Sequence, residues 1–544
     1  DREAWLEADR LGWLVCTAPA GNDLVPVDAV PAGTPIGRCV TVRKVKLDQA
    51  TGEVLKFKSR HAVDGGQVAR RLERGGDAPP RSGISSSVVD DVTKKMVLAQ
   101  AAATDRDLAK ADLPNAYMLA PRRGAPGYMH CPSSLPAFDA AGRRLCLRYS
   151  CAMWGDRASG HDWGATLRSW LEDAGLRPAE GVPDLYYLHG EAGGHLILCT
   201  EVDDLLLSET RCSNRALGRR LIAAIAARMN AQLARSDPPQ PPAELPYVAE
   251  PTSFAGLSIA RDRAARTLTL STALKVVAAM QDFLPRALDG SAASEPPLRK
   301  RALADAANAL VLPPASERGP LNAGQRLVQR IIGVLKFVEK TMPRLSLLLH
   351  RLSCVMSFPP LPGALRVAHG TLALAYSHRA ESLVYGGPDS PEPLVDARLK
   401  ANIDIGAPAP TGLLGKADAT WNSDHEVYGV LVTYASAAVF HQVKKLAPCV
   451  SSTDAEIAGT VALSNTIVYC RAIASALGAP CAGPTLCATD NWGNALIANR
   501  AGSAARAKHT LRRYTIAQQR MAGGEIAIAH VPDAHNAADF LTKF

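Results

Sequence analysis

The sequence predicts a multidomain protein of mixed α+β and α/β class. Its 544 residues exceed what one hydrophobic core supports, so we expect about three domains. A content of 47% hydrophobic and 21% charged residues is typical of folded domains and excludes a disordered chain or a coiled coil. In the segment 410–544, three short strands precede alternating helices and strands. This order indicates a specific α/β architecture at that end of the chain.

The segment 1–290 mixes short strands with helices. Two apolar runs separated by a polar, Gly-containing stretch predict a β-hairpin, period-two alternation predicts a strand, and apolar residues spaced by three and four predict a helix. These patterns fall on a hairpin of 40–42 and 54–57 across a turn at 48–52, on strands at 195–200, 205–207 and 266–270, and on a helix at 275–283.

The remaining chain divides at Pro-rich segments, which we expect to form loops because proline cannot continue a helix. They lie at 236–242, 289–320, 359–362 and 386–410. A middle segment, 291–405, carries a helical pattern at 326–352. The last segment, 406–544, reads as three strands over 413–443, a helix at 452–477, a strand at 485–488, two helices, a strand at 525–531 and a short helix.

The charge balance favours a polyanionic partner. The net charge is +9 and the pI is about 8.9, whereas only 5% of residues are aromatic, so a surface built mainly on base stacking is not indicated. The twelve cysteines are scattered without a C-x-x-C pair, which predicts reduced thiols in an intracellular protein. No signal peptide or uninterrupted apolar span is evident, so we expect no membrane insertion. Because the chain opens on Asp1, we expect processing from a longer precursor or an incomplete sequence.

Acidic residues lie between two apolar runs in the sequence Glu201-Val-Asp203-Asp204. Adjacent carboxylates repel each other, so a hairpin that holds them requires a compensating cation, for which Mg²⁺ with its preference for oxygen ligands is suited. A solvated turn is the alternative interpretation of this pair alone. A third acid, Asp112, ends a predicted strand at 108–111, which favours the metal-binding interpretation.

These acids carry a resemblance to a known family. The pattern Asp112-x-x-x-Ala116-Tyr117, followed later by Val-Asp203-Asp204, resembles the palm of reverse transcriptases of copia-type LTR retrotransposons. Four further segments resemble that family in the same order: a fingers hairpin, the motif "LYGLKQAPRxW", the motif "FLGLEI" and a connection region, at 42–60, 153–163, 254–259 and 333–385.

The last segment resembles an RNase H domain of the same elements. Asp418 lies in a stretch similar to "SDADW", Glu456 in one similar to "SSTEAEY", Asp490 in one similar to "CDNQSA", and Asp539 in one similar to "ADILTK". The resemblance implies a right-hand polymerase of fingers, palm and thumb over 1–290, a connection region over 291–405 with Pro-rich inserts, and an RNase H-like domain over 406–544.

The resemblance also implies two sites of two-metal phosphoryl transfer, each with two Mg²⁺ ions or, as an alternative, Mn²⁺. In the polymerase site Asp112 and Asp203 would bridge the metals and Asp204 would assist. The residues implied to contact the nucleotide and its strand are Lys58 and Arg60 at the triphosphate, Tyr117 as a gate against the ribose 2′-OH, and Gly155 and Arg157 in the 153–163 motif.

The second site is implied to cleave RNA in an RNA–DNA hybrid with Asp418, Glu456, Asp490 and Asp539 as metal ligands. The expected partners are an RNA template, a DNA primer, the hybrid and deoxynucleoside triphosphates, with integrase or a larger ribonucleoprotein as further partners. We expect an intracellular location, in a cytoplasmic particle, the nucleus or an organelle.

Several positions depart from the family pattern. Glu201 replaces a tyrosine and places a third negative charge beside the polymerase acids, where it is expected either to raise the pKa of a neighbour or to repel template phosphate. Ala158 and Gly160 replace a glutamine and a proline, and Thr420 and Leu511 replace aspartates.

Two hypotheses follow, because all seven implied ligands are present while their neighbours differ. The first is an RNA-directed DNA polymerase with RNase H activity. The alternative is a domesticated, catalytically impaired descendant that acts as an RNA-binding or scaffold subunit of a ribonucleoprotein complex. A protein unrelated to nucleic acid is the least favoured interpretation.

Overall fold

The structure is a computed structural model that describes most of the chain. The predicted hairpin turn at 48–52 and most of the Pro-rich stretches after residue 286 lie outside the described residues. The described ranges are 1–47, 53–75, 86–190, 193–211, 217–237, 239–285, 300–310, 322–356, 363–387, 412–421, 425–499 and 508–543.

The described helices confirm the predicted helical segments at 275–283, 326–352 and 452–477. In chain order they are α1 (Arg2–Thr17), α2 (Gly65–Gly75), α3 (Asp91–Ala103), α4 (Ser159–Asp173), α5 (Leu217–Leu233), α6 (Ala273–Phe283), α7 (Lys300–Asn308), α8 (Ala323–Val338), α9 (Ser346–Val355), α10 (Ala364–Ser377), α11 (Ser452–Ala476), α12 (Trp492–Ala498) and α13 (Lys508–Ala522).

The described strands make this a mixed α/β protein, as the sequence predicts. They are β1 (Asp23–Pro26), β2 (Ile36–Gly37), β3 (Cys39–Leu47), β4 (Val54–Val63), β5 (Asp107–Asp112), β6 (Gly127–His130), β7 (Leu145–Tyr149), β8 (Arg177–Pro178), β9 (Leu185–His189), β10 (His195–Glu201), β11 (Asp204–Glu209), β12 (Val248–Ala249), β13 (Ser253–Phe254), β14 (Leu257–Asp262), β15 (Thr267–Ser271), β16 (Leu383–Gly386), β17 (Leu414–Ala419), β18 (Val427–Tyr434), β19 (Ala437–Lys445), β20 (Thr485–Thr489) and β21 (Ile526–His530).

The chain forms two compact units. The first contains the hairpin of β3 and β4, a four-stranded sheet in the order β1-β7-β6-β2, and a six-stranded sheet in the order β12-β5-β11-β10-β9-β8. Trp163 and Trp170 of α4 and Ile225 of α5 belong to the hydrophobic core beside the six-stranded sheet. This unit comprises Asp1–Val89, Ala109–Pro178 and Pro183–Ala249, and the second comprises Asp90–Leu108, Ala179–Val182 and Glu250–Phe544.

The second unit contains a helical layer and two further sheets. Helices α6 to α10 share a core of aliphatic side chains that includes Ile331, Leu349 and Leu372. A four-stranded sheet has the order β13-β14-β15-β16, and a five-stranded sheet has the order β19-β18-β17-β20-β21. In the five-stranded sheet β17, β18 and β19 are antiparallel, whereas β20 is parallel to both β17 and β21. The observed order of strands and helices from β17 onward confirms the order predicted from the sequence.

Helix α11 lies against the five-stranded sheet. A Cβ atom at Gly415 of β17 would lie 2.5 Å from the Leu463 side chain of α11, so glycine permits the close approach of helix and strand. By length and composition alone, α11 could cross a membrane, and its most apolar window is 50% buried in the fold. The buried core helix of a folded domain passes the same test.

Polar caps define where several helices begin. The Asp90 side chain accepts a hydrogen bond from the Thr93 amide at 2.7 Å and starts α3, and the Ser451 hydroxyl accepts one from the Asp454 amide at 3.2 Å and starts α11. Asn491 caps α12 in the same way, directly after Asp490. The starts of α11 and α12 thereby set the positions of acids that belong to the candidate site.

Candidate metal centres

Three carboxylates of the second unit converge on one point. Ligand oxygens of Asp418, Glu456 and Asp490 all lie within 4.8 Å of one another. Among the residues that the structure describes, no other group of three or more His, Cys, Asp or Glu side chains meets this criterion. The structure therefore brings together three of the four acids predicted for the second site.

The convergence follows from the local fold. Asp418 lies near the end of β17 and Asp490 directly follows β20, and these two strands are parallel neighbours. The carboxyl ends of parallel strands meet at the same edge of a sheet, so the two side chains are adjacent. Glu456 reaches them from the first turns of α11, whose start is set by the Ser451 cap.

Burial and mutual repulsion raise the pKa values of these carboxyls. Burial, with Asp418 and Asp490 as further causes, raises the pKa of Glu456 to about 9. Burial also raises the pKa of Asp418 to about 6, with Thr542 opposing and Asp490 reinforcing the shift. The pKa of Asp490 is raised mainly by burial, against a hydrogen bond with Asn536. At neutral pH Glu456 therefore retains its proton unless a positive charge is added beside it.

The donor set fits a hard divalent cation. Glu456 accepts a hydrogen bond from the Ala419 amide at 3.1 Å through Oε1, while its buried Oε2 has no hydrogen-bond partner among the described residues. Three oxygen-donating carboxylates with one unused buried oxygen match the ligand preference of Mg²⁺ and Mn²⁺. A bound cation would offset the repulsion that raises their pKa values.

The fourth predicted ligand, Asp539, lies outside this group of three. It stands in a short 3₁₀ turn, and its Oδ1 accepts a hydrogen bond from the Lys543 ammonium. Lys543 also lies 3.7 Å from Asp533, and the hydrogen bond with Asp539 raises the pKa of the Lys543 ammonium. The preceding residue, Thr542, donates a hydrogen bond to Asp418 Oδ2. The Thr542-Lys543 pair thus contacts two of the four predicted ligands.

Asn536 is a site residue that the sequence does not reveal. Its side chain is 3% exposed, and its Nδ2 donates to the Ala417 carbonyl at 2.9 Å beside Asp418. A hydrogen bond with Asn536 also lowers the pKa of Asp490. A single asparagine in a loop carries no pattern that predicts this position.

In the first unit, the predicted polymerase acids lie at a strained hairpin. Strands β10 and β11 are antiparallel with Glu201 opposite Asp204, which leaves Val202 and Asp203 as the two turn residues. Val202 has φ of +60°, a conformation that a β-branched residue rarely adopts. Side-chain and backbone groups from elsewhere in the unit hold this turn in place.

Two hydrogen bonds fix the turn. The Trp163 indole of α4 donates to the Val202 carbonyl at 2.6 Å, and the Leu113 amide donates to the Asp203 carbonyl at 2.8 Å. Because Leu113 follows Asp112, the second bond places Asp112 next to the hairpin. Trp163 lies in the 153–163 motif, but its supporting role at the turn is not evident from the sequence.

The three acids influence one another electrostatically. Burial raises the pKa of Asp204 to about 6, with Asp203, Asp112 and Glu201 as further causes. Burial and Asp112 also raise the pKa of Asp203. The expectation that Glu201 raises the pKa of a neighbouring acid is therefore confirmed. Asp112 is exposed, and these acids do not form a group with all ligand atoms within 4.8 Å among the described residues.

The predicted basic residues lie near these acids. Burial lowers the pKa of the half-buried Lys58, with Arg60 and Lys46 as further causes and Asp112 opposing. Arg60 is exposed and stacks over the Trp154 ring at 5.4 Å. The electrostatic influence of Lys58 and Arg60 also reaches Asp203. These cations are thus positioned to neutralise negative charge at the hairpin.

Tyr117, Gly155 and Arg157 are the remaining predicted substrate residues. Tyr117 is half-buried, and burial together with Asp203 raises the pKa of its hydroxyl. Gly155 has φ of +85°, and a Cβ atom there would lie 2.1 Å from the Val63 carbonyl oxygen at the end of β4. Arg157 is exposed in the turn that follows. Glycine at 155 is therefore required for the close approach to β4.

Comparisons with known proteins give structural similarity only. No protein-family model matches the sequence, and no curated protein matches it. A foamy viral protease-reverse transcriptase (dRH) in complex with double-stranded DNA is 10% identical with a TM-score of 0.41, over 91% of this chain and 68% of that chain. The same type of viral protein in complex with an RNA/DNA hybrid is 11% identical with a TM-score of 0.44, over 93% of this chain and 52% of that chain. LC11-RNase H1 in complex with an RNA/DNA hybrid is 12% identical with a TM-score of 0.20, over 24% of this chain and 92% of that chain.

Proposed function

We propose that the second unit hydrolyses the RNA strand of an RNA–DNA hybrid with divalent metal ions. The observation that carries this proposal is the convergence of the buried Asp418 and Glu456 with the half-buried Asp490, all three with raised pKa values. When bound, Mg²⁺ or Mn²⁺ would activate water and stabilise the charge that develops on the phosphate. The chain's own contribution is to hold the three carboxylates within reach of one cation.

Asp539 would complete this ligand set as the fourth carboxylate. Lys543 now neutralises Asp539, and its ammonium would have to yield if a second metal ion bound there. Asn536 and Thr542 would orient Asp490 and Asp418 through the hydrogen bonds described above. Hydrolysis directed at a hybrid requires recognition of the 2′-OH and of groove shape.

We further propose that the first unit is an RNA-directed DNA polymerase. Asp112 and Asp203 would hold the metal ions and Asp204 would assist them, because Asp203 and Asp204 lie at the hairpin and Asp112 is held next to it. Lys58 and Arg60 would neutralise the triphosphate of the incoming deoxynucleotide. Tyr117 would discriminate against the 2′-OH, and residues of the 153–163 turn, including Gly155 and Arg157, would contact the substrate.

The proposal includes the origin and the partners of the protein. The motif order supports descent from a copia-type LTR retrotransposon, with polymerase, connection and RNase H-like regions at 1–290, 291–405 and 406–544. The partners would be an RNA template, a DNA primer and the resulting hybrid. Integrase or a larger ribonucleoprotein would be a further partner in an intracellular particle.

A domesticated scaffold is the second candidate, and one observation favours it. In the first unit Glu201 adds to the repulsion among Asp112, Asp203 and Asp204, and these acids are not gathered as tightly as those of the second unit. A chain whose polymerase acids are grouped this loosely would retain RNA binding while losing DNA synthesis.

Two separate assays test the proposal, because one site can function without the other. RNase H activity is measured on a labelled RNA–DNA hybrid with Mg²⁺ or Mn²⁺, and Asp490→Asn should abolish it while the exposed Asp282→Asn leaves it unchanged. The absence of cleavage by the wild-type protein with either metal would refute the hydrolytic function.

Primer extension on an RNA template tests the polymerase. Asp203→Asn should abolish incorporation of deoxynucleotides, and Asp28→Asn, at an exposed acid distant in sequence, should not. If the wild-type protein incorporates nothing and Glu201→Tyr restores incorporation, the present-day polymerase is refuted and the scaffold function is favoured.

A further inference from the structure

A cavity lined by several lysines lies within the second unit, apart from the carboxylate cluster. Its volume is about 690 Å³, and it is bordered by the start of α3, the end of α8 with the residues that follow it, strand β19 and helix α11. None of the seven predicted metal ligands lines it. The lining side chains that matter here are Lys95, Lys336, Lys340, Ser346, His441 and Lys444.

Two of the four lysines are neutralised by neighbouring acids. Lys340 lies 2.8 Å from a carboxylate oxygen of Asp91, and Lys336 lies 2.9 Å from one of Glu339. These pairs account for two of the three acids that line the cavity. The net charge of the cavity therefore depends on the third acid and the two remaining lysines.

Within the described ranges the third acid, Asp90, hydrogen-bonds only to neutral groups, so the four lysines exceed the three acids of the cavity by one formal charge. Its carboxylate accepts hydrogen bonds from the Thr93 amide, as the cap of α3, and from the Tyr469 hydroxyl. Lys95 and Lys444 make no ion pair among the described residues. Lys95 is only 2% exposed, so its ammonium adds positive charge where water provides little screening.

Two buried polar atoms in the wall also lack partners. His441 has a side chain that is 8% exposed, and its Nδ1 makes no hydrogen bond within the described part of the chain. Ser346 is 1% exposed, and its Oγ is likewise without a partner there. Buried polar groups in folded proteins are nearly always satisfied by protein, water or ligand, so these two atoms are available to a molecule that enters the cavity.

The chemistry of these groups selects an anion with several acceptor oxygens. Ammonium groups donate up to three hydrogen bonds each, and a neutral imidazole and a hydroxyl each donate one. Burial lowers the pKa of His441 to about 3, so its imidazole is neutral at physiological pH. A phosphate group presents oxygens in several directions and accepts such donors at short distance.

We propose that this cavity binds a phosphate group of the backbone of a nucleic-acid strand, with Lys95 and Lys444 as donors. The choice of a strand as the source of the phosphate rests on the proposed function. Lysine suits this role because its ammonium acts as a point charge that tolerates different phosphate orientations.

The test compares variants that differ in one lysine. Affinity for an RNA–DNA hybrid is measured by fluorescence anisotropy in EDTA at increasing salt, for the wild type, Lys444→Ala, Lys95→Met and Lys445→Ala. Lys445 is adjacent to Lys444 on β19, is likewise exposed and does not line the cavity. Side chains alternate across a strand, so it is a matched control.

Loss of one phosphate contact should reduce the slope of log affinity against log salt by about 0.9 in Lys444→Ala and Lys95→Met, with no change in Lys445→Ala. Equal slopes in all four proteins would overturn the proposal, as would an equal reduction in Lys445→Ala. Lys444→Ala remains informative if Lys95→Met does not fold, because Lys444 is exposed.

A second measurement identifies the source of the phosphate. Inorganic phosphate should raise the melting temperature of the wild type but not of Lys444→Ala if the cavity also accepts free phosphate. Stabilisation by phosphate together with unchanged hybrid binding would assign the cavity to a free phosphate compound and overturn the strand. If the wild type binds the hybrid in the expected manner but cleaves no RNA, the proposed function fails while this site stands.

Discussion

Glu456→Gln should stabilise the metal-free protein near neutral pH. The Glu456 carboxyl has a pKa of about 9 in the folded protein, against 4.5 for an unperturbed glutamate. Between these values the folded chain retains a proton that the unfolded chain releases. The free energy of unfolding therefore falls as the pH rises from 4.5 towards 9. Glutamine retains an oxygen that can accept the Ala419 amide and does not titrate.

The magnitude follows from the size of the shift. One pKa unit corresponds to about 1.4 kcal/mol, and pH 7 lies about 2.5 units above the pKa of Glu456 in the unfolded chain. Ionisation of the unfolded chain thus costs the wild type about 3.5 kcal/mol at pH 7, and glutamine removes this cost. Below about pH 4 the two proteins should differ little from this cause, because Glu456 is protonated in both states.

The assay measures the stability of the second unit, which contains Glu456. Urea unfolding in EDTA is measured at pH 4, 7 and 8.5, with hydrogen exchange of peptides from β17 and β20 as the local readout. Glu525→Gln, at an acid outside the cluster, is the control. Mg²⁺ should then stabilise the wild type more than the variant. Equal stability of Glu456→Gln and wild type at pH 8.5 in EDTA would refute the reasoning.

Three further outcomes are expected. Gly155→Ala should destabilise the first unit by about 2–4 kcal/mol in urea unfolding, because a Cβ would clash with the Val63 carbonyl at φ of +85°; an unchanged midpoint would contradict this. Although burial alone would raise it, hydrogen bonds from Arg43 and other residues lower the pKa of Asp9 to about 2, so about 2 kcal/mol of stability should be lost as the pH falls from 4 towards 2. Asp9→Asn should remove this pH dependence of stability when unfolding is followed by fluorescence. If the pH dependence persists in the variant, it does not arise from Asp9. Lys543→Met should tighten Mg²⁺ binding by about fivefold in calorimetry, since the ammonium no longer competes, and weaker binding would show that it assists the metal instead.

Most secondary structure could be predicted because hydrophobic periodicity is a local property. The alternation at 266–270 appears as β15, and the helical spacing at 275–283 appears within α6. Caps and turn residues are equally local, as Asn491 shows at the start of α12. The pairing of β16 with β15 was not predictable, because the two strands are far apart in sequence and nothing in either specifies the partner.

The identity of the acids follows from the sequence, but their arrangement is decided by the tertiary structure. Asp418, Glu456 and Asp490 can each be selected by motif, whereas their separation depends on strand pairing and on the position of α11. The ion pair of Asp539 with Lys543 shows that a motif residue need not join the group that its motif implies.

The sequence by itself determined the composition, the element types and the residues able to bind a cation, because these depend on residue chemistry and local periodicity. The contacts that hold these residues in place were decided only by the tertiary structure. Trp163 holds the Val202 carbonyl and Asn536 holds the Ala417 carbonyl through contacts between residues remote in sequence. Such contacts depend on packing geometry, and burial then sets the pKa of Glu456, so the electrostatic state of the site arises only in the folded chain.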